Sequence, residues 1–352
     1  LKAKEGEEMK LIKTTEAVGH VLCHDITQII KDVKKGVLFK KGHIVREEDI
    51  PLLLSVGKEN LYIWEKSEGI LHENEAAEIL YDICKNDYMS PGEVKEGKIT
   101  IYAEADGLFK LNYEKLYEVN SLGEMIIATR HGNTTVKKGD ELAGTRIIPL
   151  LIEEEKMNRA KEAAGNEPLL KIMPFKHKKI GIVTTGSEIL KGLIKDTFTQ
   201  VLIDKFNEFD AEIIGQKIAG DDKTNITKSI IELIEDGADI VACTGGMSVD
   251  PDDNTPGAIK DTGAEIVTYG APVLPGAMML VSYYAYKGKN VAVVGLPGCV
   301  MYSKRTVFDL LLPRIMADDT ITGEDIARLG AGGLCLNCSV CTFPNCGFGS
   351  HS

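Results

Sequence analysis

Three glycine-bearing turns each follow an apolar run in the carboxyl-terminal half of the chain. They are Thr184-Thr185-Gly186-Ser187-Glu188 after Ile180-Gly181-Ile182-Val183, Thr244-Gly245-Gly246 after Asp239-Ile240-Val241-Ala242-Cys243, and Leu296-Pro297-Gly298 after Val291-Ala292-Val293-Val294-Gly295. Such runs read as parallel strands, whose carboxyl ends share one edge of a doubly wound sheet, and ligands bind in the crevice at that edge. Glycine lets backbone amides approach a ligand closely, and amides at helix starts favour anions. Any one of these glycines also suits a strand-to-helix turn for steric reasons alone. Together they predict a site for a phosphate-bearing ligand. Asp250, Asp252 and Asp253 follow the second turn, and Asp221-Asp222 end the neighbouring strand. Carboxylates beside a phosphate cradle repel the ligand unless they hold Mg²⁺ or accept N–H donors from it. The plainer alternative makes Asp250 and Asp252 solvated turn residues and Asp253 a helix cap before Asn254-Thr255-Pro256.

A second set of chemical groups lies near the end of the chain, where Cys335-x2-Cys338-x2-Cys341-x4-Cys346 gathers four thiolate donors. Structural zinc usually separates two cysteine pairs by a longer spacer, whereas three closely spaced thiolates are nearer to an iron–sulfur run. A metal-free redox or partner-docking tail is the third alternative, and all three stay open. Cys23, Cys84, Cys243 and Cys299 are scattered; Cys243 and Cys299, close to the turns, read as small buried hydrophobes. His20 and His24 bracket Cys23 in a segment of strand and turn, where a packing or surface role is expected.

The chain has 352 residues, 43% hydrophobic and 27% charged, enough for two or three domains with ordinary cores. A formal charge of −12 argues against nucleic-acid binding, which rests on clustered Lys and Arg. No apolar run approaches the roughly 18 residues that cross a bilayer. A cytoplasmic protein without membrane contact is expected, with Met9 as a natural start and residues 1–8 carrying no function.

Four regions follow from the patterning. Residues 1–95 read as an amino-terminal α+β region with an extended turn segment from Gly36 to Gly42, a helix near Glu47–Ser55, the strand Leu61–Trp64 and an amphipathic helix over Glu73–Lys85. Residues 96–175 read as short β-prone runs forming a small antiparallel barrel or sandwich, closed by a charged linking helix over Glu153–Gly165. Residues 176–318 alternate strand and helix with βαβ spacing: strands at 180–184, 211–218, 239–244, 264–268 and 291–295, and helices at 197–209, 223–236, 254–261, 276–286 and 300–316. The fold class is therefore α/β, with a mostly parallel doubly wound sheet. Residues 319–352 form the Cys-rich tail.

The order Thr-Gly-Ser-Glu, Gly-Asp-Asp, Thr-Gly-Gly with an aspartate seven residues on, and Leu-Pro-Gly resembles the molybdopterin-binding fold over residues 178 to 317. That fold is shared by molybdopterin adenylyltransferases, molybdenum-insertion enzymes and the carboxyl-terminal domain of gephyrin. The resemblance implies that Thr185, Gly186, Ser187 and Glu188, then Gly220, Asp221 and Asp222, then Thr244, Gly245, Gly246, Ser248 and Asp253, then Pro297 and Gly298 line a pterin and phosphate pocket. Within it, Glu188, Asp222 and Asp253 are the implied catalytic residues, with Asp253 as a holder of Mg²⁺. Glu16 to Ile26, and Phe39-Lys40-Lys41-Gly42 through Leu52 to Gly57, resemble the opening segments of the insertion enzymes, the molybdopterin molybdenumtransferases. This branch implies a Mg²⁺-dependent transferase of molybdenum cofactor biosynthesis that takes adenylylated molybdopterin and molybdate, releases AMP and self-associates. Two positions depart from the family pattern: Leu274 stands where a basic residue usually precedes Pro-Gly, and Leu-Pro-Gly-Asn-Pro reads Leu296-Pro297-Gly298-Cys299-Val300. Those departures keep a second reading in view, a non-catalytic carrier of the cofactor whose cysteine tail senses redox state or docks a molybdoenzyme or sulfur-transfer protein. A nucleotide-processing hydrolase on the same fold is the third.

Overall fold

The β-branched runs of the carboxyl-terminal half assemble into one six-stranded sheet, in a computed structural model that describes residues 9–30, 34–64, 69–248, 250–251 and 253–350. Residues 1–8 and Asp252, on which two of the expectations above fall, lie outside the described residues. The strands are β1 (Lys178–Thr185), β2 (Ala211–Ala219), β3 (Ile240–Thr244), β4 (Glu265–Tyr269), β5 (Leu280–Tyr286) and β6 (Lys289–Leu296), in the spatial order β2-β1-β3-β6-β5-β4. The inner strands β1, β3 and β6 are apolar on both faces because both are covered, as parallel strands require. Ile180, Ile182, Ile240, Ala242, Ala292 and Val294 point into one cluster with Phe206 and Phe308, while Val183, Val241, Cys243 and Val293 point into the other with Ile226, Ile230 and Leu233. The helix Lys223–Glu235 supplies those last three, and Asp222 caps its start by accepting the Asn225 N–H at 2.9 Å. It packs so closely that a β-carbon at Gly181 of β1 would stand 2.9 Å from the Leu233 β-carbon, which explains a glycine in mid-strand.

One element contradicts the sequence reading. Residues 276–286, expected as a crossover helix, carry β5, and β5 pairs antiparallel with both β4 and β6. The sheet is therefore mixed. Regular alternation of strand and helix suggested a helix there, but Val281, Tyr283, Tyr284 and Tyr286 are strand-favouring residues. Lys287 (φ 48°) and Gly288 (φ 80°) then close a two-residue hairpin into β6. The expected helix 300–316 is also divided, into Cys299–Tyr302 and Val307–Met316. Asp309 causes the second start: it accepts the Thr306 N–H at 2.7 Å and lies 2.6 Å from the buried Lys205 ammonium.

The other regions are antiparallel. Strands Met125–Thr129, Glu141–Ile147, Lys98–Ala103 and Met89–Pro91 form one sheet, and Thr134–Val136, Gly107–Leu111 and Leu170–Pro174 another. Helices Glu73–Cys84 and Glu154–Ala164 bury Leu80, Cys84, Met157 and Ala160 in the same core as Ile99, Ile101 and Phe109. The helix Tyr113–Ser121 was not anticipated, since Val119 is its one buried residue. Nearer the amino terminus, Met9–Lys13, Asn60–Trp64 and Val21–Leu22 pair around Leu22, Leu53 and Ile63, and Gly36, expected in a turn, lies inside the strand Lys34–Phe39. Among the described residues no helix is long and apolar enough to cross a membrane.

Candidate functional site

Parallel register brings the three predicted turns together. Thr184 at the end of β1 pairs with Thr244 of β3, and Thr244 with Leu296 of β6, so the segments that follow leave the sheet side by side. Hydrogen bonds lock the first two turns to each other. The Thr185 hydroxyl donates to the Thr244 carbonyl at 3.0 Å, and the Thr255 hydroxyl donates to the Gly245 carbonyl at 2.7 Å. Gly186, Gly245 and Gly246 hold φ angles of 136°, 84° and 54°, in the region that disfavours side chains. At Gly245 the constraint is doubled, because a β-carbon would meet the Thr185 carbonyl oxygen at 2.5 Å. Gly298 differs: its φ is −55° and a β-carbon there would meet nothing within 4 Å, so no protein atom demands a glycine. Ser248 and Gly298 are exposed and Gly186, Gly245 and Gly246 half-buried, leaving the crevice open to solvent.

The carboxylates are anchored to backbone. Asp221 accepts the Ser187 N–H at 3.0 Å, which ties the β2 turn to the β1 turn, and Asp253 accepts the Asp250 N–H at 3.2 Å. Asp222 is engaged as the helix cap described above. Glu188 is exposed on the short helix Ser187–Leu190, and Gly220 lies 3.2 Å, measured from a built β-carbon, from Leu190. Thr244 Oγ1 is buried and finds no hydrogen-bond partner among the described residues, at the end of the central strand. Pro297, which follows the sheet partner of Thr244, is buried, and Cys299 is half-buried with its thiol pKa raised by burial.

Of the tail cysteines, Cys335 and Cys346 are half-buried and Cys338 and Cys341 exposed. Among the described residues, no three His, Cys, Asp or Glu side chains are placed to share a single metal ion.

Residues 181–317 match the family described as a probable molybdopterin binding domain. That stretch belongs to the molybdopterin-binding fold family. Residues 11–65 match a domain of unknown function. A Bacillus mycoides protein described as competence-damage inducible is 28% identical over 127 residues, 36% of this chain and 30% of its own length. A CinA-like protein of Mycobacterium tuberculosis is 31% identical over 77 residues, 22% of this chain and 18% of its own length. The chain thus spans less than a third of these relatives. The tungsten cofactor synthesizing protein MoaB of Pyrococcus furiosus aligns over 41% of this chain and 98% of its own at 20% identity, with a TM-score of 0.35, too slight a likeness to bear on function.

Several residues that shape the molybdopterin-binding domain escaped the sequence reading. Thr255 clamps the Gly245 turn, Asn254 donates to the Asp221 carbonyl at 2.9 Å, and the Tyr269 hydroxyl donates to the carbonyls of Met247 and Ser248 at 3.1 and 3.2 Å. Burial, then the Asp253 charge, raises the Tyr269 pKa, so it remains a donor. Beside β1, the Asp196 carboxylate accepts from the Thr199 hydroxyl at 2.6 Å and from Gln216 at 2.7 Å. Burial alone raises its pKa, but these bonds outweigh burial and hold it below the usual carboxylate value. The only local signal for the group was Asp196 three residues before Thr199, a helix-capping pattern.

Proposed function

We propose that the crevice at the carboxyl edge of β1, β3 and β6 binds molybdopterin, in its adenylylated form, as a step in molybdenum cofactor biosynthesis. The observation that carries this reading is the Gly245 turn, whose backbone is pressed against Thr185 and clamped by Thr255, leaving rigid amides at the end of a central strand. Rigid amides of this kind suit phosphate oxygens and cost no reorganisation when charge develops there. The finer activity is a transferase reaction: molybdate enters the dithiolene-bearing pterin and AMP leaves. Thr185, Gly186, Ser187, Gly220, Asp221, Thr244, Gly245, Gly246, Ser248, Pro297 and Gly298 form the binding walls in this reading. Glu188, Asp222 and Asp253 are its acidic groups. Mg²⁺ is compatible with the donor set, because that ion binds through one or two carboxylates and keeps several waters. Asp253 holds the Asp250 N–H through Oδ2, which leaves Oδ1 for the ion. When bound, Mg²⁺ would neutralise charge on the phosphoanhydride. The role of Asp221 is positioning, since it fixes the Ser187 amide at the start of the helix that faces the ligand. Self-association through the amino-terminal region, and residence in the cytoplasm, complete the reading.

The second reading, a carrier that binds the pterin without turnover, is favoured by Leu274. It offers no charge at the position where the family pattern usually has a basic residue, and its backbone bridges to Leu334 of the tail. The experiment that separates the two is AMP release from adenylylated molybdopterin by the full chain with Mg²⁺, with and without molybdate. Molybdate-dependent release supports insertion. Binding without release supports the carrier, and absence of binding overturns both.

A further inference from the structure

The tail has no part in the crevice chemistry of either reading, yet it is firmly placed. Leu274 N–H donates to the Gly333 carbonyl and Cys335 N–H to the Leu274 carbonyl, both at 2.8 Å, and Gly349 N–H closes back on the Gly332 carbonyl at 3.0 Å. Arg130 donates to Asn345 at 3.0 Å, Lys304 to the Ser339 carbonyl at 3.2 Å, and Phe348 is buried in the core of the α/β domain. A lobe anchored from both ends presents Cys335, Cys338, Cys341 and Cys346 around one cavity of about 410 Å³. All four thiols are free.

The arrangement bears on the metal chemistries that the spacing leaves open. Tetrahedral zinc holds each sulfur about 2.3 Å from one point, so its ligands stand about 4 Å from one another. Among the described residues, no three His, Cys, Asp or Glu side chains stand in that arrangement. Three closely spaced cysteines and a fourth that line one cavity leave room for a polynuclear cluster that brings its own bridging sulfide. The remaining walls fit such a group. Phe343 and Phe348 shield it, and Lys304 opposes the net negative charge of a thiolate-ligated cluster.

We propose that Cys335, Cys338, Cys341 and Cys346 ligate an iron–sulfur cluster of the four-iron, four-sulfide class. All four ligands come from the tail, whatever the crevice binds. Its wall also includes Tyr302, the last residue of the short helix that follows Gly298.

The test is anaerobic reconstitution of the full chain with ferrous iron and sulfide, followed by assay of bound iron and acid-labile sulfide, visible absorption, and electron paramagnetic resonance after reduction. The expected result is about four iron and four sulfide per chain with a cluster signal. A Cys338→Ser, Cys341→Ser double variant, altered only at exposed side chains, should keep its circular dichroism and lose the cluster. Failure to retain iron, equal retention by the variant, or uptake of a single zinc ion with no cluster overturns the proposal.

Discussion

Gly245 rests on Thr185 with no room for a side chain: a β-carbon built there stands 2.5 Å from the Thr185 carbonyl oxygen and 2.6 Å from its hydroxyl. Two strands that meet only through a parallel pairing are thereby fixed at their tips. Gly245→Ala must push the turn outward, and it also strains a φ of 84°. The expected outcome is a loss of pterin affinity of at least about tenfold, equivalent to about 1.4 kcal/mol, read by titration against wild type. Wild-type affinity in this variant would remove the turn from the binding site.

Asp222 serves two descriptions, helix cap and acidic group of the site. Asparagine caps as well as aspartate, so Asp222→Asn should leave stability within about 0.5 kcal/mol, while Asp222→Ala should lower it by about 1 kcal/mol. Under the transferase reading, the Asn variant still loses AMP release by about tenfold or more. Unchanged release in Asp222→Asn would reduce the residue to its cap.

Lys205 and Asp309 form an ion pair at 2.6 Å with both side chains almost wholly buried, and Arg305 adds a second contact to Asp309 at 2.9 Å. Asp309→Asn removes the charge that compensates Lys205. Chemical denaturation should show a loss of about 3 to 5 kcal/mol, the cost of an uncompensated buried charge.

Acid should loosen the amino edge of the sheet. Burial alone raises the Asp239 pKa, but the Lys179 N–H and Lys289 outweigh it, and Lys176 and Lys178 do the same for Asp318, so both carboxyls sit below their usual value. A lowered folded-state pKa adds stability that is present above the unfolded value of about 3.9 and lost as pH falls through the folded value. The unfolding midpoint should therefore decline below about pH 4, and less steeply in an Asp239→Asn, Asp318→Asn variant. An identical decline would assign the acid response to other carboxyls.

Thiol reactivity should sort the cysteines in metal-free protein. Burial pushes the Cys84 thiol up to about 12 and raises that of Cys243 as well, whereas Cys338 and Cys341 are exposed. Alkylation mapped by mass spectrometry should mark Cys338 and Cys341 first. Early labelling of Cys84 or Cys243 would mean that the two cores open readily.

The crevice was legible because its signals are local. An apolar run that ends in Gly186, Gly245 or Gly298 can be read from a few residues, and parallel order then places the turns together. Thr255 was illegible for the opposite reason: its hydroxyl meets the Thr185 hydroxyl across 70 positions, and nothing near it announces that contact. The helix Tyr113–Ser121 was missed for want of an apolar face. In β5 the rule of alternation overrode the residues themselves, although Lys287-Gly288 between two β-prone runs is a hairpin signal.

That hairpin bears on how the molecule is made. Tyr286 and Lys289 face each other across two residues, whereas Ile180 must find Ile240 across a long stretch of intervening chain. Closing a short loop loses little entropy and is fast, while distant parallel pairings wait on large closures. The strand that runs against its neighbours is thus the natural place for the sheet to begin folding, and the remaining parallel strands are added to a seam that can form early.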